Sequence, residues 1–159
     1  MLKYCMRMTA LVLFFSGAAR AQCTAGSLVV VVNKVNATES LSTAQLRKLV
    51  LGDVRGWPDR KPVTMVARDF SSKTFECVLS MVVRQSVAEY RRYVMSAEFR
   101  GEEPMAIQTA DSAASAARIV AGSPGAIAIV EASALPAISA GVKIVRVNGK
   151  APGEVGYPL

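Results

Sequence analysis

Two spacings of apolar residues alternate along the chain. Ser27-Leu28-Val29-Val30-Val31-Val32-Asn33 is an unbroken β-branched run of strand length. That is the pattern of a strand covered on both faces in a parallel sheet, so it is read as the first, central strand. Leu41-Ser42-Thr43-Ala44-Gln45-Leu46 opens a helix. Ser42 can cap it, Gln45 can close a capping box, and Leu41 and Leu46 stand where a hydrophobic staple packs. The helix runs to Leu51, and Gly52 ends it. A turn-rich connector, Gly56 to Pro62, feeds a second strand over Val63–Ala67. Phe75, Val78, Leu79 and Val82 then recur at helical spacing, which starts a helix within Ser71–Lys73. Ser86-Val87-Ala88-Glu89 is a second capping box, opening a helix with Tyr90, Tyr93 and Val94 on one face, and the two helices join near Gln85. Met105-Ala106-Ile107 reads as a short strand, and Asp111–Ala121 as an alanine-rich helix capped by Asp111 or Ser112. Gly125–Val130 is a buried strand, and Val142–Val147, apolar and basic in alternation, suits an edge strand. Strands alternating with helices predict a three-layer α/β domain.

The first residues break this pattern. Lys3 and Arg7 precede an apolar run from Thr9 to Phe15, and the small-residue stretch Ser16–Ala21 follows. This is the order of a secretory signal cut after Ala21, and the run is far shorter than the roughly 20 residues that span a bilayer. Residues 1–21 are therefore expected to be a signal peptide and residues 22–159 the exported domain. Its loss removes Lys3, Arg7 and Arg20, lowering the formal charge from +7 to +4. The remaining basic residues are interspersed with acids, so a nucleic-acid surface is not expected. Arg84, Arg91, Arg92 and Arg100 read as a solvated helix face.

Export leaves Cys23 and Cys77, which an oxidising compartment permits to pair but which a domain of this size does not require to. With no base in sight, Cys77 reads as a buried, inert thiol. The chain has no histidine. That excludes histidine-based catalysis, and two distant cysteines make no metal-ligand spacing, so neither metal nor cofactor is expected. Hydrolysis would have only Ser71 or Ser72 beside Lys73 to work with.

The candidate chemistry lies at Arg68-Asp69-Phe70-Ser71-Ser72-Lys73-Thr74, between the second strand and its helix. Ligands of α/β sheets bind outside the carboxyl ends of strands. A helix start there offers unpaired N–H groups and a partial positive charge. Ser71, Ser72 and Thr74 add hydroxyls, Lys73 a backbone N–H, and Arg68 a planar fork suited to phosphate or carboxylate. The same residues also read as ordinary caps and a solvated pair.

The Arg68, Ser72 and Thr74 pattern resembles the Arg-x-Asp-Gly-Ser-Gly-Thr signature of the periplasmic phosphate-binding proteins of ABC transporters, with Phe70, Ser71 and Lys73 standing where that signature has aspartate and glycines. Leu46–Gly52 followed by Trp57-Pro58-Asp59 is similar to the helix and tryptophan turn of that family. Pro124-Gly125-Ala126-Ile127-Ala128-Ile129-Val130 resembles its Pro-Gly-Ala-Ile-Gly-Tyr-Val strand, and Tyr157-Pro158-Leu159 its Tyr-Pro ending. The resemblance implies a single lobe of type II periplasmic-binding-protein architecture, with a mixed, mostly parallel sheet flanked by helices. It further implies a periplasmic, non-enzymatic domain that recognises phosphate or a similar oxyanion, weakly or with a partner's help, in uptake or sensing beside an inner-membrane transporter or sensor protein. Trp57 becomes a packing residue of the turn, and Asp69 a stand-in for the missing acid. The alternative is an extracytoplasmic protein-interaction module without a small ligand.

Overall fold

The structure, a computed structural model, describes residues 23–102, 106–138 and 140–159. The expected signal peptide lies outside them. In chain order the elements are β1 (Leu28–Asn33), β2 (Ser40–Leu41), α1 (Thr43–Leu51), β3 (Thr64–Arg68), α2 (Lys73–Val78), α3 (Val87–Phe99), β4 (Ile107–Ala110), α4 (Ala113–Gly122), β5 (Ala126–Glu131) and β6 (Val142–Val147). A π-helical turn, Leu79–Val83, continues α2, and a 3-10 turn, Ala132–Ala137, follows β5.

The strands form one sheet in the order β2-β6-β1-β5-β3-β4, and three of its five pairings are parallel. All six residues of β1 are buried, and it lies inside the sheet as its composition predicts. Its direction is a correction, because it runs antiparallel to both β5 and β6. Burial on both faces comes from the helices covering them, and that cover is indifferent to strand direction. Val30 and Val32 face a core shared with Leu46, Leu49, Phe75, Leu79 and Tyr90 from the α1–α3 side. Val29 and Val31 face the other way, onto Ala113, Ala116 and Val120 of α4. The period-2 alternation of β1 thus feeds two cores, and the result is the expected three layers.

β6 is also not the edge strand it was read as. Two residues of β2 pair in parallel with Arg146 and Val147 and take the outer place. A two-residue strand carries too little pattern to be seen in sequence. At the other side β4 begins at Ile107, and Met105 lies outside the described residues.

Local chemistry sets the helix ends. Ser42 and Gln45 bond reciprocally at the start of α1, and Ser86 and Glu89 do the same for α3. Gly52 closes α1 at φ 80°, a left-handed conformation that glycine adopts without steric cost. Arg84, at φ 62°, breaks the α2 stretch just before Gln85. Ser112, rather than Asp111, caps α4. The far end of α4 is held by Asn33, which is buried and donates from Nδ2 to the carbonyls of Val120 at 2.8 Å and Ala121 at 2.9 Å. These carbonyls lie in the last turn of α4, where Val120 also accepts from the Ser123 N–H at 3.2 Å, so the end of β1 helps to close the helix terminus.

Cys23 and Cys77 are joined as a disulfide, with their Cα atoms 5.3 Å apart. The inert thiol expected at Cys77 is therefore corrected: the bond pins the segment ahead of β1 onto α2.

Tyr157 and Leu159 are buried in the larger core. Burial pushes the Tyr157 hydroxyl up to about 12 and raises that of Tyr90 as well. Tyrosines of the unfolded chain ionise near 10, so the folded state is the one that resists ionisation. Its advantage is intact below about pH 10 and is lost as pH rises through the folded value. The unfolding free energy measured from pH 9 to 12 is expected to fall by about 2 kcal/mol, and Tyr157→Phe to flatten the decline. An equally steep decline in that variant would show that Tyr157 is not its source.

Candidate functional site

β3 and β5 run parallel, with Val66 opposite Ala128, so their last residues, Arg68 and Glu131, reach the same end of the sheet. There the chain leaves β3 through Asp69-Phe70-Ser71 and enters α2 with Ser72 as N-cap, its Oγ accepting from the Phe75 N–H at 3.2 Å. The N–H of Ser72 turns back to the Asp69 carbonyl at 2.8 Å, which tightens the loop.

The site is organised around Glu131. Arg68 donates from Nη1 to Glu131 Oε1 at 3.2 Å, and the Thr74 hydroxyl donates to the same oxygen. Thr74 is buried, while the Arg68 and Glu131 side chains are 22% and 33% exposed. Two atoms of this group, Arg68 Nε and Glu131 Oε2, are buried with no hydrogen-bond partner. The ion pair is thus single-pronged rather than the bidentate fork an arginine can make.

The other predicted residues turn to their neighbours. Ser71 donates its N–H to Asp69 Oδ1 at 2.7 Å and its hydroxyl to the same oxygen. The hydroxyl, then the N–H, hold the Asp69 carboxyl below the usual carboxylate range. Lys73 pairs with Glu76 at 3.0 Å on an exposed surface, an arrangement worth little in water. Phe70, half-exposed, packs edge-on against Phe75 at 4.9 Å between ring centres. Beneath the loop, Arg68, Thr74, Phe75, Tyr90 and Ile129 line a cavity of about 20 Å³. That is room for one water rather than for a tetrahedral oxyanion.

Of the five residues read from sequence, Arg68 and Thr74 converge, Ser72 caps, and Ser71 and Lys73 point to partners of their own. Asp69 does not stand in as the acid beside Arg68; that acid is Glu131, which sequence reasoning missed. The available signal was a lone carboxylate ending an otherwise apolar strand, at the end where α/β sheets bind ligands. Trp57 is a packing residue, as read: it is buried and donates from Nε1 to the Gly125 carbonyl at 2.9 Å.

No family model and no curated protein matches the chain. Solved structures do. A Clostridium perfringens protein assigned as a phosphate ABC transporter substrate-binding protein, with phosphate bound, superposes with a TM-score of 0.62 at 19% identity, covering 79% of this chain and 46% of the other. An ABC-type phosphate transport receptor from Vibrio cholerae gives 0.58 at 19% identity, over 79% and 48%. PstS from Borrelia burgdorferi gives 0.64 at 14% identity, over 79% and 49%. Each of these proteins is about twice as long as the part this chain matches. The chain is thus built on the fold of ABC-type phosphate-binding proteins, over slightly less than half of their length.

Proposed function

We propose that residues 22–159 form an exported, non-enzymatic domain that recognises phosphate or a similar oxyanion at the Arg68–Thr74 loop, outside the inner membrane, in uptake or sensing. The observation that supports this reading best is the convergence of Arg68 and Thr74 on one carboxylate at the ligand end of the sheet. A guanidinium and a hydroxyl that hold one oxyanion can hold another. In this role Arg68 pairs with the ligand's charge, Ser72 and Thr74 donate hydroxyls, and the N–H groups of Lys73 and Thr74 add the open donors of a helix start. Ser71 completes the loop by fixing Asp69. Among the described residues no helix is long and apolar enough to cross a membrane.

Calorimetric titration of the exported domain with phosphate is the test. Heat with millimolar affinity is expected, and Arg68→Ala is expected to weaken it by about tenfold or more, the worth of a charge-assisted bond. A folded sample that gives no heat at millimolar phosphate overturns the reading.

One feature favours a second reading, a protein-interaction module serving an inner-membrane transporter or sensor. The side chains of Arg68, Ser71, Lys73 and Thr74 all have partners within the chain, and the neighbouring structures carry as much chain again. A module of that kind keeps its partner when Arg68 and Ser72 are both replaced by alanine, whereas a solute sensor loses its response.

A further inference from the structure

Resting on the oxyanion reading above, we infer that Glu131 is an internal ligand of the anion site, and that an external oxyanion binds only by displacing its carboxylate from Arg68 and Thr74.

Three observations carry this. Glu131 Oε1 alone takes both donors, the Arg68 guanidinium and the Thr74 hydroxyl, so the seat for an anion is filled by the chain itself. The fit is incomplete, because Arg68 Nε and Glu131 Oε2 are both left buried without partners. A carboxylate kept there for stability alone would be expected to use its second oxygen. A tetrahedral oxyanion with several oxygens can meet the Nη1, Nε and hydroxyl donors together, which is what gives it the means to win the exchange. The Glu131 side chain is one-third exposed and stands at the junction of β5 and the 3-10 turn, so a rotamer change takes its carboxylate to water.

The charge around the loop points the same way. Arg68 is paired with Glu131 and Lys73 with Glu76, while Asp69 is held by Ser71, so the loop and its neighbours carry three acids against two bases, an excess of acid for a site meant to take an anion. With Glu131 seated, an approaching dianion meets an already neutralised guanidinium. The apparent affinity is the intrinsic affinity multiplied by the fraction of time the seat is empty. Because Glu131 is tethered beside the seat, its effective concentration is high and that fraction is small.

The experiment compares phosphate titrations of the exported domain with those of Glu131→Gln, Glu131→Ala and Glu131→Ala combined with Arg68→Ala, with thermal melts establishing that each is folded. Glu131→Gln keeps the shape and loses only the charge, so it serves if the alanine variant does not fold. Removal of the internal ligand is expected to tighten phosphate binding by about tenfold or more. The alanine variant is also expected to bind acetate, a free copy of the missing carboxylate, in competition with phosphate. Both gains are expected to vanish in the double variant. If the wild type binds phosphate and the Glu131 variants bind it equally or more weakly, the inference is overturned while the oxyanion reading stands. If the wild type is silent and the variants bind, the inference holds and oxyanion recognition by the native chain is overturned. If all are silent, both fall.

Discussion

Removing the Cys23–Cys77 disulfide is expected to lower the stability of the domain by about 4 kcal/mol, the loop-entropy value for a cross-link of this span. The bond joins residues 54 positions apart, so in the unfolded chain it closes a long loop and strips that ensemble of many conformations. In the folded chain Cys23 sits against the larger core and Cys77 is buried within α2. The paired replacement Cys23→Ala, Cys77→Ala avoids leaving one buried thiol behind. Urea titrations of the oxidised domain and of this variant are the measurement. The variant's midpoint is expected to fall, and its m-value to rise because its unfolded state is more open. Thiol counting under denaturing, non-reducing conditions should find no free cysteine in residues 22–159, a span that excludes Cys5. Two titratable thiols, or an unchanged midpoint, would exclude the bond as a source of stability. The expected export also bears on this, since a disulfide persists in an oxidising compartment and not in the cytosol.

What sequence made visible here is what local chemistry decides. Ser42 with Gln45 and Ser86 with Glu89 announce their helices because both halves of each box lie within one turn. The burial of β1 was legible because five apolar residues in a row, Leu28 to Val32, leave no polar face to hydrate. Its direction was not, because strand direction depends on which distant strands lie beside it. The disulfide was open for the same reason: two cysteines so far apart carry no spacing signal, and only the fold brings Cys23 onto α2. The site divides along the same line. Arg68, Ser72 and Thr74 lie within one short segment, and their chemistry could be read together. Glu131 is 57 positions beyond Thr74 and reaches it only through the pairing of β3 with β5. The segment read by itself therefore looks open, whereas in the fold Arg68 and Thr74 are already engaged by Glu131.

Gly125→Ala is expected to destabilise the domain by about 3 kcal/mol, at the upper end for overpacking, although the substitution adds only one methyl group. Gly125 lies just before β5, and a Cβ built on it would stand 2.0 Å from the carbonyl oxygen of Pro62. The obstacle is backbone, which no rotamer change can clear. The carbonyl of Gly125 also accepts from Trp57 Nε1 at 2.9 Å and from the Thr64 N–H at 3.1 Å, so a shift that relieves the clash loosens the tryptophan turn and the start of β3 together. Against this stands the entropy that alanine removes from the unfolded chain, which favours the variant by less than about 1 kcal/mol. Steric exclusion therefore sets the sign. Gly122→Ala is the control, since a Cβ there meets nothing within 4 Å at the end of α4. It is expected to be neutral or stabilising by up to about 1 kcal/mol. Urea midpoints of the two variants distinguish close packing from a general intolerance of larger residues. Equal effects at both positions would mean that the approach of Pro62 to Gly125 is not what requires glycine.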